Sequence, residues 1–77
     1  VKVKIAGTKG IVTVETAEGA TTREALIEAA REFGLPTPEE VVEQLAPVVD
    51  GKSSELDDQL PADATRVTAA PKVRNGS

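Results

Sequence analysis

The sequence predicts an α+β domain in which a mixed sheet of four to five strands packs on one main helix and a short second one. Three observations predict it. Val1-Lys2-Val3-Lys4-Ile5, running into Ala6, alternates apolar and charged side chains, the period of a strand with one face on a core. Residues 21–36 carry both the start and the stop signals of an amphipathic helix. From Val48 onward the chain returns to β-prone runs broken by Asp-Gly and Pro turns. A chain of 77 residues has room for one domain. Its ten Val, five Leu, three Ile and one Phe fill one small core. Residues 1–70 read as that domain and residues 71–77 as a flexible C-terminal tail.

The elements follow in order. Val1 to Ala6 is the first strand, with Val1, Val3 and Ile5 inward. Gly7-Thr8-Lys9-Gly10 turns the chain, and Ile11 to Glu15 is a second, β-branched strand with Val12 and Val14 inward, so the two form a hairpin. Thr21-Thr22-Arg23-Glu24 is a capping box, with Thr21 as N-cap and Glu24 at N3. Leu26, Ile27, Ala30 and Phe33 then make one apolar stripe, and Gly34 and Pro36 stop the helix. Thr37-Pro38-Glu39-Glu40 repeats the start signal; this cap chemistry favours a helix of about two turns, with Val41, Val42 and Leu45 inward and Pro47 at its end, over a competing strand at Val41-Val42. Val48-Val49 is a short strand running into an Asp50-Gly51 turn. Leu56 and Leu60 anchor a polar stretch, and Thr65 to Ala69 is the last strand, closed by Pro71. The expected core is Val3, Ile5, Val12, Val14, Leu26, Ile27, Ala30, Phe33, Leu45, Leu56, Leu60 and Val67, with Phe33 as its one large aromatic. This order describes a β-grasp sheet wrapped round one helix, with the first and last strands as central, parallel neighbours.

Composition narrows the chemistry. Lys plus Arg is 9 against 13 for Asp plus Glu, a net charge of −4, and one aromatic leaves no stacking platform, so nucleic acid is not an expected partner. With neither Cys nor His, the thiolate nucleophile, the usual general base and the common zinc ligands are missing, and no enzyme activity, metal or cofactor is expected. The longest apolar runs are about four residues, too short to span a membrane or to serve as a signal peptide. A monomeric cytoplasmic protein is the resulting expectation.

Three local patterns suggest chemistry and each has a plainer reading. Gly51-Lys52-Ser53 matches the end of a phosphate-binding loop, but Ala46 stands where the leading Gly belongs. Ser53 and Ser54 lie near Leu56 as in an acyl carrier, yet the strands at the N-terminus do not belong to such a bundle. Asp57, Asp58 and Asp63 have no calcium-loop spacing. The distribution of charge is more informative. Every carboxylate lies between Glu15 and Asp63, whereas Lys2, Lys4, Lys9, Arg66, Lys72 and Arg74 lie outside that range. If the first and last strands are neighbours, Lys2, Lys4 and Arg66 share the outer sheet face, with Lys72 and Arg74 beyond it and Val48 or Val49 adding apolar contact. Solubilising charge is one reading of that face; docking on an acidic protein surface is the other.

Several pieces in their order resemble a known family. They are Val1-Lys2-Val3-Lys4-Ile5, Glu18-Gly19-Ala20-Thr21 before the helix, and Val49-Asp50-Gly51-Lys52. Leu60-Pro61-Ala62-Asp63-Ala64 and Pro71-Lys72-Val73-Arg74-Asn75-Gly76 complete the set. The chain resembles the ubiquitin-like β-grasp group, nearest to the small sulfur carriers of molybdopterin and thiamine biosynthesis. The resemblance implies a C-terminal glycine whose carboxylate is adenylated by an E1-like adenylating enzyme, then thiolated or joined to an amine. Gly76 is the matching position; Asn75 precedes it where the family has a second Gly, and Ser77 follows it, so this chemistry requires Ser77 to be removed. Two functions are therefore expected: a non-catalytic interaction module using Lys2, Lys4, Arg66, Lys72 and Arg74, or a sulfur carrier or protein modifier acting through Gly76.

Overall fold

The computed structural model describes residues 1–8 and 10–71. Its elements are β1 (Lys2–Ile5), β2 (Val12–Thr13), α1 (Thr22–Glu32), α2 (Pro38–Glu43), β3 (Leu45–Val49), β4 (Lys52–Ser53) and β5 (Arg66–Pro71). The strands form one mixed five-stranded sheet in the order β2-β1-β5-β3-β4. β1 and β5 pair in parallel; the other three pairings are antiparallel. Two hairpins are thus joined side by side through β5, and α1 packs across one face of the sheet. The expected parallel pairing of first and last strands is present. Residues 72–77, expected as a tail, and Lys9 lie outside the described residues; β5 runs through Pro71, one position past the expected boundary.

The N-terminus of α1 shows why the helix starts where it does. The first-turn amides of a helix have no intrahelical acceptor. Here the Thr21 hydroxyl accepts from the Glu24 amide at 3.3 Å, as the capping box predicts. The Thr22 and Arg23 amides instead donate to the carbonyls of Asp58 and Leu56, both at 3.0 Å. The Leu60 amide donates to the Ala20 carbonyl at 2.8 Å, so the stretch around residues 56–60 is stitched to the helix by backbone bonds. Leu56 and Leu60 anchor it, both buried as expected.

The core confirms most of the predicted list and rotates the helix. Val3, Ile5, Val14, Leu26, Ala30, Leu45, Leu56, Leu60 and Val67 are buried. The buried side of α1 is Thr22, Ala25, Leu26, Ala29 and Ala30. Ile27 and Phe33, predicted as central, are only half-buried at its flank, and so is Val12. Small alanines let α1 approach the sheet closely, which moves the wider side chains to the rim. Ile11, predicted within a strand, is 45% exposed, because β2 is only two residues long.

The second helix departs further. Pro38 is at its first position, but Thr37 has φ 44° and makes no side-chain cap; Val42 alone is buried. The helix stops at Glu43, and Leu45 reaches the core from β3 instead. Pro47, read as a helix stop, is inside β3 and opposite Ala69 of β5. A strand tolerates this because the Pro47 carbonyl accepts from Ser54 on the β4 side, at 3.1 Å, just past the end of β4. A strand residue directs its nitrogen and its carbonyl to the same side, so no ladder donor toward β5 is lost.

Candidate functional site

The outer sheet face, opposite α1, is built by register. Alternation along β1 turns Val3 and Ile5 inward and leaves Lys2 and Lys4 exposed. On β5 the same alternation buries Val67 and Ala69 and exposes Arg66. The parallel pairing sets Lys2 opposite Arg66 and Lys4 opposite Thr68. Thr13 of β2 flanks Lys2 on the other side. Toward β3, Thr68 faces Val48, which faces Ser53 of β4, and Ala70 faces Ala46. The face is therefore divided: cations over β1 and the start of β5, small apolar and hydroxyl side chains over β3 and the end of β5.

Lys2, Lys4 and Arg66 are thus brought together as expected. Lys72, Arg74 and Gly76 lie outside the described residues. Val48 belongs to the face, whereas Val49 points inward and is 7% exposed. Ala46, Thr68 and Ala70 complete the apolar half; Ala46 has no strand signal in the sequence, because the proline after it reads as a helix stop.

Arg66 is held in place by Asp50. The Asp50 and Gly51 residues form the two-residue turn between β3 and β4, with φ 48° and 85°, the left-handed pair that an Asp-Gly hairpin turn uses. That turn aims the Asp50 carboxylate at the start of β5. It accepts from the Arg66 amide at 3.0 Å, the Thr65 amide at 3.2 Å and the Thr65 hydroxyl at 2.7 Å. The Asp50 amide donates in turn to the Arg66 carbonyl at 2.9 Å. The bond from the Thr65 hydroxyl and those from the Arg66 and Thr65 amides hold the Asp50 carboxyl below its ordinary value, because only the ionised form accepts them all.

The Asp50 carboxylate lies at the backbone of Arg66, but the cationic side chains of the face have no direct partner. Like charges directly opposite on neighbouring strands destabilise a sheet. Among the described residues, none of Lys2, Lys4 and Arg66 makes an ion pair; the pairs are Arg23 with Glu43 and Asp57, and Arg31 with Glu28.

The other patterns have structural uses. Gly51-Lys52-Ser53 is a hairpin turn and β4, and among the described residues no helix follows it. Asp57 pairs with Arg23, and Asp58 accepts from the Glu55 amide at 3.1 Å. Among the described residues no cluster of His, Cys, Asp or Glu could hold a metal ion, and no helix is long and apolar enough to cross a membrane. Comparison with protein-family models and with curated proteins finds no match.

Proposed function

We propose that this chain is a small non-catalytic ubiquitin-like protein of β-grasp fold that binds an acidic protein surface through its outer sheet face. The strand order, with a parallel central pair and a helix across the inner face, supports the fold assignment. One observation carries the function: Lys2 and Arg66 stand side by side, with Lys4 next to them, and no carboxylate among the described residues pairs with any of them. A sheet that keeps adjacent like charges gives up stability, which a partner's carboxylates would restore on binding. The test is an NMR titration with a helical peptide carrying Glu every fourth residue. Shifts should fall on Lys2, Lys4, Arg66 and Thr68, and should shrink at high salt and in the K2E/K4E/R66E protein, whose association slows because rim charges mainly set on-rates. Shifts confined elsewhere, or insensitive to salt, would refute it.

A second reading keeps the fold and moves the function to Gly76. It is favoured by the order Pro71-Lys72-Val73-Arg74-Asn75-Gly76, which begins at the last residue of β5. A chain ending at Gly76, incubated with ATP, an adenylating enzyme and a sulfur donor, should gain about 16 Da as its carboxylate is activated and becomes a thiocarboxylate. An unchanged mass with every adenylating enzyme of the source cell removes this reading.

A further inference from the structure

The charges of the molecule are sorted by layer. The strands carry Lys2, Lys4, Lys52 and Arg66 and no carboxylate. The helices carry Glu24, Glu28, Glu32, Glu39, Glu40 and Glu43 against Arg23 and Arg31. Both arginines are engaged within their own layer and its adjoining loop, Arg23 with Glu43 and Asp57, Arg31 with Glu28 at 3.3 Å. Glu24, Glu32, Glu39 and Glu40 have no counter-ion among the described residues. Because α1 covers the inner face of the sheet, its exposed side and the cationic outer face point in opposite directions.

The two surfaces also match in spacing. Glu24, Glu28 and Glu32 are exposed and recur every fourth residue of α1, a rise of ~6 Å per step. Lys2 and Lys4 are two residues apart on β1, a rise of roughly 6.6 Å. A helix laid along β1 therefore sets one carboxylate against the Lys2–Arg66 pair and the next against Lys4. Beside the row is a groove of about 400 Å³, lined by Glu15, Glu24, Ile27, Glu28, Arg31 and Glu39. It gives lysine side chains a concave, acidic seat with an apolar side for their methylene stems.

We infer that the outer sheet face of one copy docks on the acidic α1 surface of a second copy. The inference rests on the outer-face reading and names its partner. The two surfaces differ, so each docked copy still presents one of each, and the assembly grows head to tail. Exposed ion pairs are individually weak and screened by salt, so the association is reversible and belongs to low ionic strength and high local concentration. The expected monomer is then the high-salt state.

Sedimentation velocity of the full chain tests this at about 10 mM ionic strength, where screening reaches roughly 30 Å, and at about 1 M, where it reaches roughly 3 Å. The average mass should climb above the monomer's 8.0 kDa with concentration in the first condition and stay there in the second. The K2E/K4E/R66E and E28K/E32K proteins should each be monomeric alone, since each then presents two surfaces of one sign. Their mixture should associate, because the intact cationic sheet of one meets the intact acidic helix of the other. Glu24 is left unchanged because its charge suits the helix N-terminus. A wild-type chain that stays monomeric at low salt, association that survives 1 M salt, or a mixture no heavier than its components overturns the inference. The peptide titration separates the two levels. If the peptide maps to Lys2, Lys4 and Arg66 while the chain stays monomeric, self-docking alone falls. If the peptide misses that face as well, the outer-face reading falls with it.

Discussion

Asp50 combines three tasks in one side chain: it accepts the left-handed conformation of the turn, ties β5 to the β3–β4 hairpin, and holds Arg66 beside Lys2. Its carboxyl is lowered in the folded state, so the unfolded chain takes up its proton first as the solution is acidified. The contribution of its bonds is therefore complete above the ordinary value of 3.8 and fades as pH falls through the lower folded-state value. Asp50→Asn keeps the left-handed preference and one acceptor but does not titrate. Thermal melts should show the native protein ahead at neutral pH, with its lead shrinking below about pH 4. A lead that is constant down to pH 2 would show that ionisation plays no part. A second comparison concerns the core. Leu26 is fully buried, whereas Phe33, the one aromatic, is half-buried. Leu26→Ala should cost about 2–5 kcal/mol, and Phe33→Ala should cost less despite its larger side chain, about 1–3 kcal/mol. Urea midpoints of the two proteins decide the order.

Among the elements, α1 was the most legible, because its limits are written in local chemistry: a Thr cap with Glu at N3, and Gly34 followed by Pro36. Its rotation was not legible. Ala25 and Ala29 look like neutral helix formers, and only the nearness of the sheet makes them core residues. β3 was misread for the opposite reason. Pro47 is a strong local stop signal, but which backbone edge it faces is decided by where β4 ends. β2 and β4 are two residues each and carry no period of their own. The outer face was legible where it depends on alternation, as for Lys2 and Lys4. For Arg66 it became so only with the parallel pairing, and its apolar half stayed hidden with β3. The Asp50-Gly51 turn was legible and yields a test. Gly51 has φ 85° and an added Cβ would meet nothing within 4 Å, so Gly51→Ala measures backbone strain alone. It should cost about 1–2 kcal/mol, lowering the melting temperature of a domain this small by roughly 4–16 °C. An unchanged melt would mean the turn adopts another conformation.

At the scale of the whole molecule, the sheet holds two local hairpins that do not pair with each other. β2 with β1 and β3 with β4 meet only through β5, which pairs with β1 over four positions and with β3 over five. Neither hairpin carries enough strands to be stable alone. A chain cut after Thr65 should therefore lack a cooperative melt and bind a dye that reports exposed apolar surface, while retaining some α1 helicity; a sharp transition in that fragment would contradict the topology. Protein synthesis meets the same constraint in time. The ribosome delivers residues in order, and of this fold's elements β5 is translated last. Until Arg66 to Pro71 emerge, β1 and β3 lack the strand that pairs with both, and each offers an open backbone edge to any passing chain. The domain thus completes its fold only after its last strand emerges, and chaperone contact during translation is to be sought on β1 and β3.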